Sequence, residues 1–151
     1  MIGLLHRICD RLRATARRRR WPHDQALGRR AEDMAHRLLR RSGFTVVARN
    51  YRPRNSPGEI DLIAWHRDTL VFVEVKSRTT GEFGAPDRAI GREKRETLVR
   101  SALEYARRAG VPPDRIRFDV VNVVFSDPPA IDRIENAFRP APPMYYNTFS
   151  P

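Results

Sequence analysis

The stretch GEIDLIAWHRDTLVFVEVKSR, residues 58–78, constrains the fold of this chain more than any other. Residues 59–65 and 70–77 are two runs rich in branched apolar side chains, joined by a polar turn around Arg67-Asp68. Such runs predict two core strands forming a hairpin. Three carboxylates and a lysine interrupt them: Glu59, Asp61, Glu74 and Lys76. Side chains alternate across a strand. Glu59 and Asp61 therefore share a face with Ile63 and Trp65, and Glu74 and Lys76 share one with Leu70 and Phe72. A two-residue turn and a four-residue loop give the same register, with Asp61 opposite Glu74 and Glu59 opposite Lys76. Opposed Cβ atoms lie about 5 Å apart.

Two readings of this polar set stay open. In one it is an ordinary polar sheet face, with Glu59 and Lys76 as a cross-strand ion pair. In the other, a divalent cation relieves the repulsion between Asp61 and Glu74. Oxygen-only ligands favour Mg²⁺ or Mn²⁺ over zinc. A metal open to water polarises a phosphate and lowers the pKa of bound water. Lys76 would then orient or deprotonate that water, or stabilise charge at phosphorus.

The rest of the chain supplies elements to carry this hairpin. Residues 25–42 have a helical stripe of Leu27, Ala31, Met34, Ala35 and Leu38, with Asp24 placed to cap the start and Gly43 to end it. Glu32 lies at the edge of that stripe. Residues 44–51 read as a strand, 52–58 and 79–86 as loops, and 88–109 as a second helix with Ile90, Leu98, Ala102, Tyr105 and Ala109 inward. Residues 116–125 read as a buried strand, in which Asp119 calls for an arginine partner, and 131–138 as a short edge strand. The order αβββαβ implies an α/β fold, a mixed sheet with helices on its faces. Three segments follow: a basic arm at 1–23, a globular domain at 24–139 and a Pro-rich tail at 140–151.

Charge narrows the partners. The net charge is +11 over 151 residues, and the arm alone carries seven arginines, Arg17, Arg18, Arg19 and Arg20 among them, against one aspartate. Such a surface favours nucleic acid or an anionic membrane. Arg92, Lys94 and Arg95, near the start of the second helix, are placed for phosphate contact. Lys76 and Lys94 are the only lysines among 29 basic residues. A lysine's compact ammonium can lose its proton, and an arginine's guanidinium cannot. No run is long and apolar enough for a transmembrane helix, so no stable membrane insertion is expected. Cys9 is the only cysteine, which leaves no intrachain disulfide and no cysteine-based zinc site, and suits a reducing cytoplasm. No Gly-rich phosphate loop marks a nucleotide triphosphatase. The four histidines share no metal spacing, and Trp65 and Phe72 read as core.

Asp61, a spacer and then Glu74-Val75-Lys76 resembles the PD-(D/E)xK nuclease motif. The wider pattern of LGRRAED, GFTVVARNYR, GEIDLIA, LVFVEVKSR, REKRETLVRSA, RFDVV and ENAF is similar to the YraN family of uncharacterised bacterial proteins, over about residues 27–138. The resemblance implies a restriction-endonuclease-like fold akin to Holliday-junction resolvases. It also implies a catalytic set of Asp61, Glu74 and Lys76, joined by Glu32 from the first helix; the hairpin register adds Glu59 to that set. Asp61, Glu74 and Glu59 would be the metal ligands. The function expected is Mg²⁺- or Mn²⁺-dependent phosphodiester hydrolysis on structured nucleic acid, DNA ahead of RNA. A homodimer follows by analogy with branched-DNA resolvases. The alternatives are a non-catalytic nucleic-acid-binding protein on the same fold and a basic membrane-surface adaptor.

Overall fold

Pro22 opens the first helix, α1, which runs Pro22–Arg41. The computed structural model describes residues 22–79 and 90–140, so most of the basic arm, most of the loop expected at 79–86 and the tail beyond 140 lie outside the described residues. The helix starts three residues ahead of the expected position. Asp24 therefore sits in its first turn and is not the cap. Proline is tolerated there because the first-turn N–H groups have no intrahelical acceptor, and an acid there suits the helix dipole. At the other end Gly43 takes φ +84°, and the Phe44 N–H returns to the Leu39 carbonyl at 3.0 Å. A left-handed residue closing a helix in this way favours glycine.

Five strands follow: β1 Thr45–Tyr51, β2 Ile60–His66, β3 Thr69–Thr79, β4 Ile116–Phe125 and β5 Ala130–Phe138. They form one sheet in chain order. Its pairs are antiparallel except β3–β4, which is parallel. A parallel pair needs a crossover. The second helix, α2 Arg92–Arg108, lies in the segment that makes it. The strand expected at 116–125 is β4, and the expected edge strand is β5.

Each helix covers one face of the sheet. Ala31, Ala35 and Leu39 of α1, with Phe44, pack on Leu62, Ala64, Val71, Val73, Val121 and Val123. Leu98, Ala102 and Ala106 of α2, with Ile90, pack on Ile60, Ile63, Leu70, Phe72, Phe118 and Val120. Burying each Leu, Ile, Val or Phe contributes about 1.5–3 kcal/mol. Phe72 is core and Trp65 packs against it, as the sequence suggested. Leu39, not Leu38, is the fully buried leucine of α1, and Ala106 takes the inward place expected of Ala109, which is exposed beyond the helix end.

Strict alternation fails at one point. Ile60 and Ile63 lie on the α2 side, while Leu62 and Ala64 lie on the α1 side. Residues 59, 61, 63 and 65 therefore do not share one face. The paired register of β2 and β3 runs from His66↔Thr69 to Leu62↔Val73, each pair as the hairpin predicted. Beyond it the strand changes phase at Asp61.

Asp119 is wholly buried on β4 and holds two arginines, not the single one expected. Arg117 donates to both its oxygens at 2.9 and 3.1 Å, and Arg133 of β5 donates at 2.8 Å. The Asn136 N–H adds a bond at 3.0 Å. This cluster fastens the edge strand to β4.

Candidate active site

The site is built where β2 leaves its ladder with β3. Asp61 Oδ2 accepts the backbone N–H of Val75 at 2.7 Å. Asp61 does not simply stand across from Glu74. Its carboxylate lies on the main chain of the Glu74-Val75-Lys76 tripeptide and takes a bond that a backbone carbonyl would otherwise take.

Glu74 follows Leu70 and Phe72 in alternation and lies toward α2. It is 4% exposed, and the Lys94 ammonium, from the first turn of α2, pairs with its carboxylate. Lys76 is half-buried two residues further along β3, opposite Asn122 of β4. The Asn122 neighbour belongs to the central parallel pair, so β4 holds the lysine's backbone on that side of its strand.

Glu32 of α1 lies near enough to Asp61 and Glu59 for their charges to act on it. Burial and then the charge of Asp61 raise its carboxyl above the ordinary glutamate range. Arg49 opposes the rise, Glu59 adds to it, and a hydrogen bond from Asn50 lowers it again. The Asn50 Nδ2 donates to Glu32 Oε2 at 2.9 Å. Next to it, Arg49 pairs with Asp33 at 2.6 Å, and that bond is the main cause holding the Asp33 carboxyl low. Two consecutive residues at the end of β1 thus fasten two consecutive residues of α1. Asn50 makes its contact from φ +51°, a conformation asparagine tolerates better than most residues.

Glu59 lies just before β2 and pairs with Arg52 at 2.8 Å, at a partly exposed position. Gly58 explains the approach. A Cβ there would stand 2.6 Å from Ser101 Oγ and 2.7 Å from Thr97 Cγ2, both on α2. Only a glycine lets the loop pass so close to the helix, and the Ser56–Ser101 hydroxyl pair at 3.0 Å holds it there.

The remaining candidates are dispersed. Arg92 is exposed and pairs with Glu96 at 2.9 Å. Arg95 folds back, donating to the Ile90 carbonyl at 3.3 Å and lying 5.3 Å from the Phe138 ring centre, with its Nε buried and unpartnered. Arg17, Arg18, Arg19 and Arg20 lie outside the described residues. Sequence reasoning missed Arg49, Asn50 and the Lys94–Glu74 pair. The available signals were a strand-averse asparagine closing the run TVVARN and the second of only two lysines.

In chemical type, the donor set suits a hard divalent cation: carboxylate oxygens and no sulfur or imidazole. As placed, no three His, Cys, Asp or Glu side chains among the described residues stand close enough to hold a metal ion. Glu74 is turned to Lys94 instead.

The pattern described as "Uncharacterised protein family UPF0102" matches residues 31–123, a span that includes Glu32, Glu59, Asp61, Glu74, Lys76 and Lys94. A UPF0102 protein of Solibacter usitatus is 49% identical over 138 residues, covering 91% of this chain and all of the relative. One from Desulfosudis oleivorans is 44% identical over 114 residues, 76% of this chain and 90% of its own length. One from Geobacter sulfurreducens is 39% identical over 119 residues, 78% of this chain and 91% of its own. With the family pattern running from the middle of α1 into β4, and the Solibacter relative matched over its whole length, the chain belongs to the UPF0102 family.

Proposed function

We propose that this protein is a divalent-metal-dependent nuclease acting on structured nucleic acid, DNA ahead of RNA. One observation carries the reading: the Asp61 carboxylate is bonded to the main chain between Glu74 and Lys76. This brings the first acid of the motif onto the acid-x-lysine tripeptide.

Asp61 and Glu74 would hold Mg²⁺ or Mn²⁺, with Glu59 or Glu32 completing the oxygen shell. When bound, such a cation polarises the phosphate and lowers the pKa of a coordinated water. The chain's own residues do the rest. Lys76 orients the attacking water, or takes its proton when neutral, and its charged form stabilises the oxygens at phosphorus. The α1–β1 polar contacts keep Glu32 at the entrance. Arginines on the surface hold the phosphate backbone without reading sequence.

The binding-only alternative draws on a specific observation too, the pairing of Glu74 with Lys94. Calorimetry decides between them at the metal. Wild type is expected to bind Mn²⁺ weakly and Asp61→Asn to lose that binding. Equal binding by the two would place the metal elsewhere.

A further inference from the structure

We infer that Lys94 is a built-in stand-in for the divalent cation on Glu74, so that metal and ammonium exclude each other and loading the site releases Lys94 toward the substrate phosphate. This rests on the metal-ligand part of the reading above and goes beyond it, because the position belongs to a helix outside the hairpin motif.

The two partners differ in burial. Glu74 is 4% exposed, while the Lys94 side chain is 54% exposed. A buried carboxylate needs a cation, because leaving it unpaired costs several kcal/mol in about the way any uncompensated buried charge does. Lys94 does not need Glu74 to the same degree. Half of its side chain already meets water, and a long flexible stem lets the ammonium swing out while its backbone stays in α2. When a divalent cation arrives, the partner that moves is therefore the lysine.

Residue identity supports the same conclusion. Arginine supplies every basic position in this chain but two. One lysine is two residues from Glu74 on its own strand, and the other pairs with its carboxylate. An ammonium is a compact point charge that one carboxylate can hold and a small metal ion can replace. A guanidinium holds a carboxylate through a broad two-pronged contact. The first turn of α2 also favours a displaced cation finding an anion nearby. Its N-cap is Gly91, which has no side chain to cap the first-turn N–H groups, and such a terminus attracts phosphate.

The test is Mn²⁺ calorimetry at one neutral pH on wild type, Lys94→Met, Lys94→Gln and Lys94→Arg, with folding checked by circular dichroism. Removing the competing ammonium should tighten Mn²⁺ binding about tenfold, the scale of one charged hydrogen bond no longer broken on binding. Lys94→Arg keeps the charge and should bind no more tightly than wild type. Lys94→Gln keeps a polar partner for Glu74, so it serves if the methionine variant does not fold. Unchanged or weaker binding by the folded neutral variants would overturn the inference, because Lys94 would then be supporting the site and not occupying it. Cleavage is assayed separately, on wild type alone. A wild type that cuts nucleic acid beside neutral variants that bind no tighter would sink the inference alone. Tighter binding by the variants with no cleavage by wild type would sink the nuclease reading alone. No Mn²⁺ binding by any of the four would sink the inference together with the metal requirement.

Discussion

Glu32 reports the electrostatic state of the site. Its carboxyl is raised, first by burial and then by Asp61. A raised acid binds its proton more tightly folded than unfolded. Its contribution to stability is complete below the ordinary glutamate range and is lost as pH rises through the folded value. Glu32→Gln removes the penalty and keeps an oxygen for Asn50. In chelator-treated buffer the variant should melt above wild type at pH 7–8, and the gap should close as pH falls below the ordinary carboxylate range. A gap that ignores pH, or a lower melting point at pH 7, would contradict the assignment. The acids themselves were legible in the sequence because carboxylates inside apolar strands have no packing reason to be there. Their partners were less legible. Arg49, Asn50 and Lys94 act through contacts between residues 16, 18 and 20 positions apart, and no local pattern encodes such pairings.

The hairpin shows what periodicity gives and where it stops. Its register from His66↔Thr69 to Leu62↔Val73 follows from the turn at Arg67-Asp68, because turn length fixes pairing. The phase change at Asp61 does not follow from alternation, since a side chain there replaces a main-chain partner. Helix α1 starts three residues ahead of the expected position because proline is at home in a first turn. Asp119 was recognisable as a buried charge needing an arginine. Its second arginine comes from β5, a strand whose pairing only the folded sheet reveals. Gly58 gives the prediction at this scale. Gly58→Ala should push the loop off Thr97 and Ser101, at about 1–3 kcal/mol, the usual cost of one methyl too many in a packed place. Thermal melting should show the loss, and Mn²⁺ affinity should fall with it because Glu59 and Asp61 follow directly in sequence. An unchanged melting point would mean that Ser101 and Thr97 simply rotate away.

Across the whole molecule, charge and fold divide the work. The two helices and five strands build the acidic site, and no helix among the described residues is long and apolar enough to cross a membrane. Much of the +11 charge falls in residues 1–23, outside the acidic centre. Sequence-independent affinity should therefore reside largely in that segment. Removing it should weaken DNA binding and flatten the salt dependence, since each neutralised phosphate contributes about −0.9 to the log–log slope. An unchanged slope would show that the arm does not touch nucleic acid, and tighter binding to anionic vesicles than to DNA would favour a membrane-surface role. The most direct measurement is cleavage of a panel of duplex, flap, four-way junction and single-stranded DNA with Mg²⁺ or Mn²⁺, by wild type and Lys76→Arg. The arginine keeps the charge but offers no compact ammonium and no base. Wild type should cut at least one branched substrate, and Lys76→Arg should bind it about as well while cutting it more slowly by roughly 10² or more. Failure of wild type to cut any substrate, or equal cutting by the two proteins, would contradict a nuclease centre at Asp61, Glu74 and Lys76.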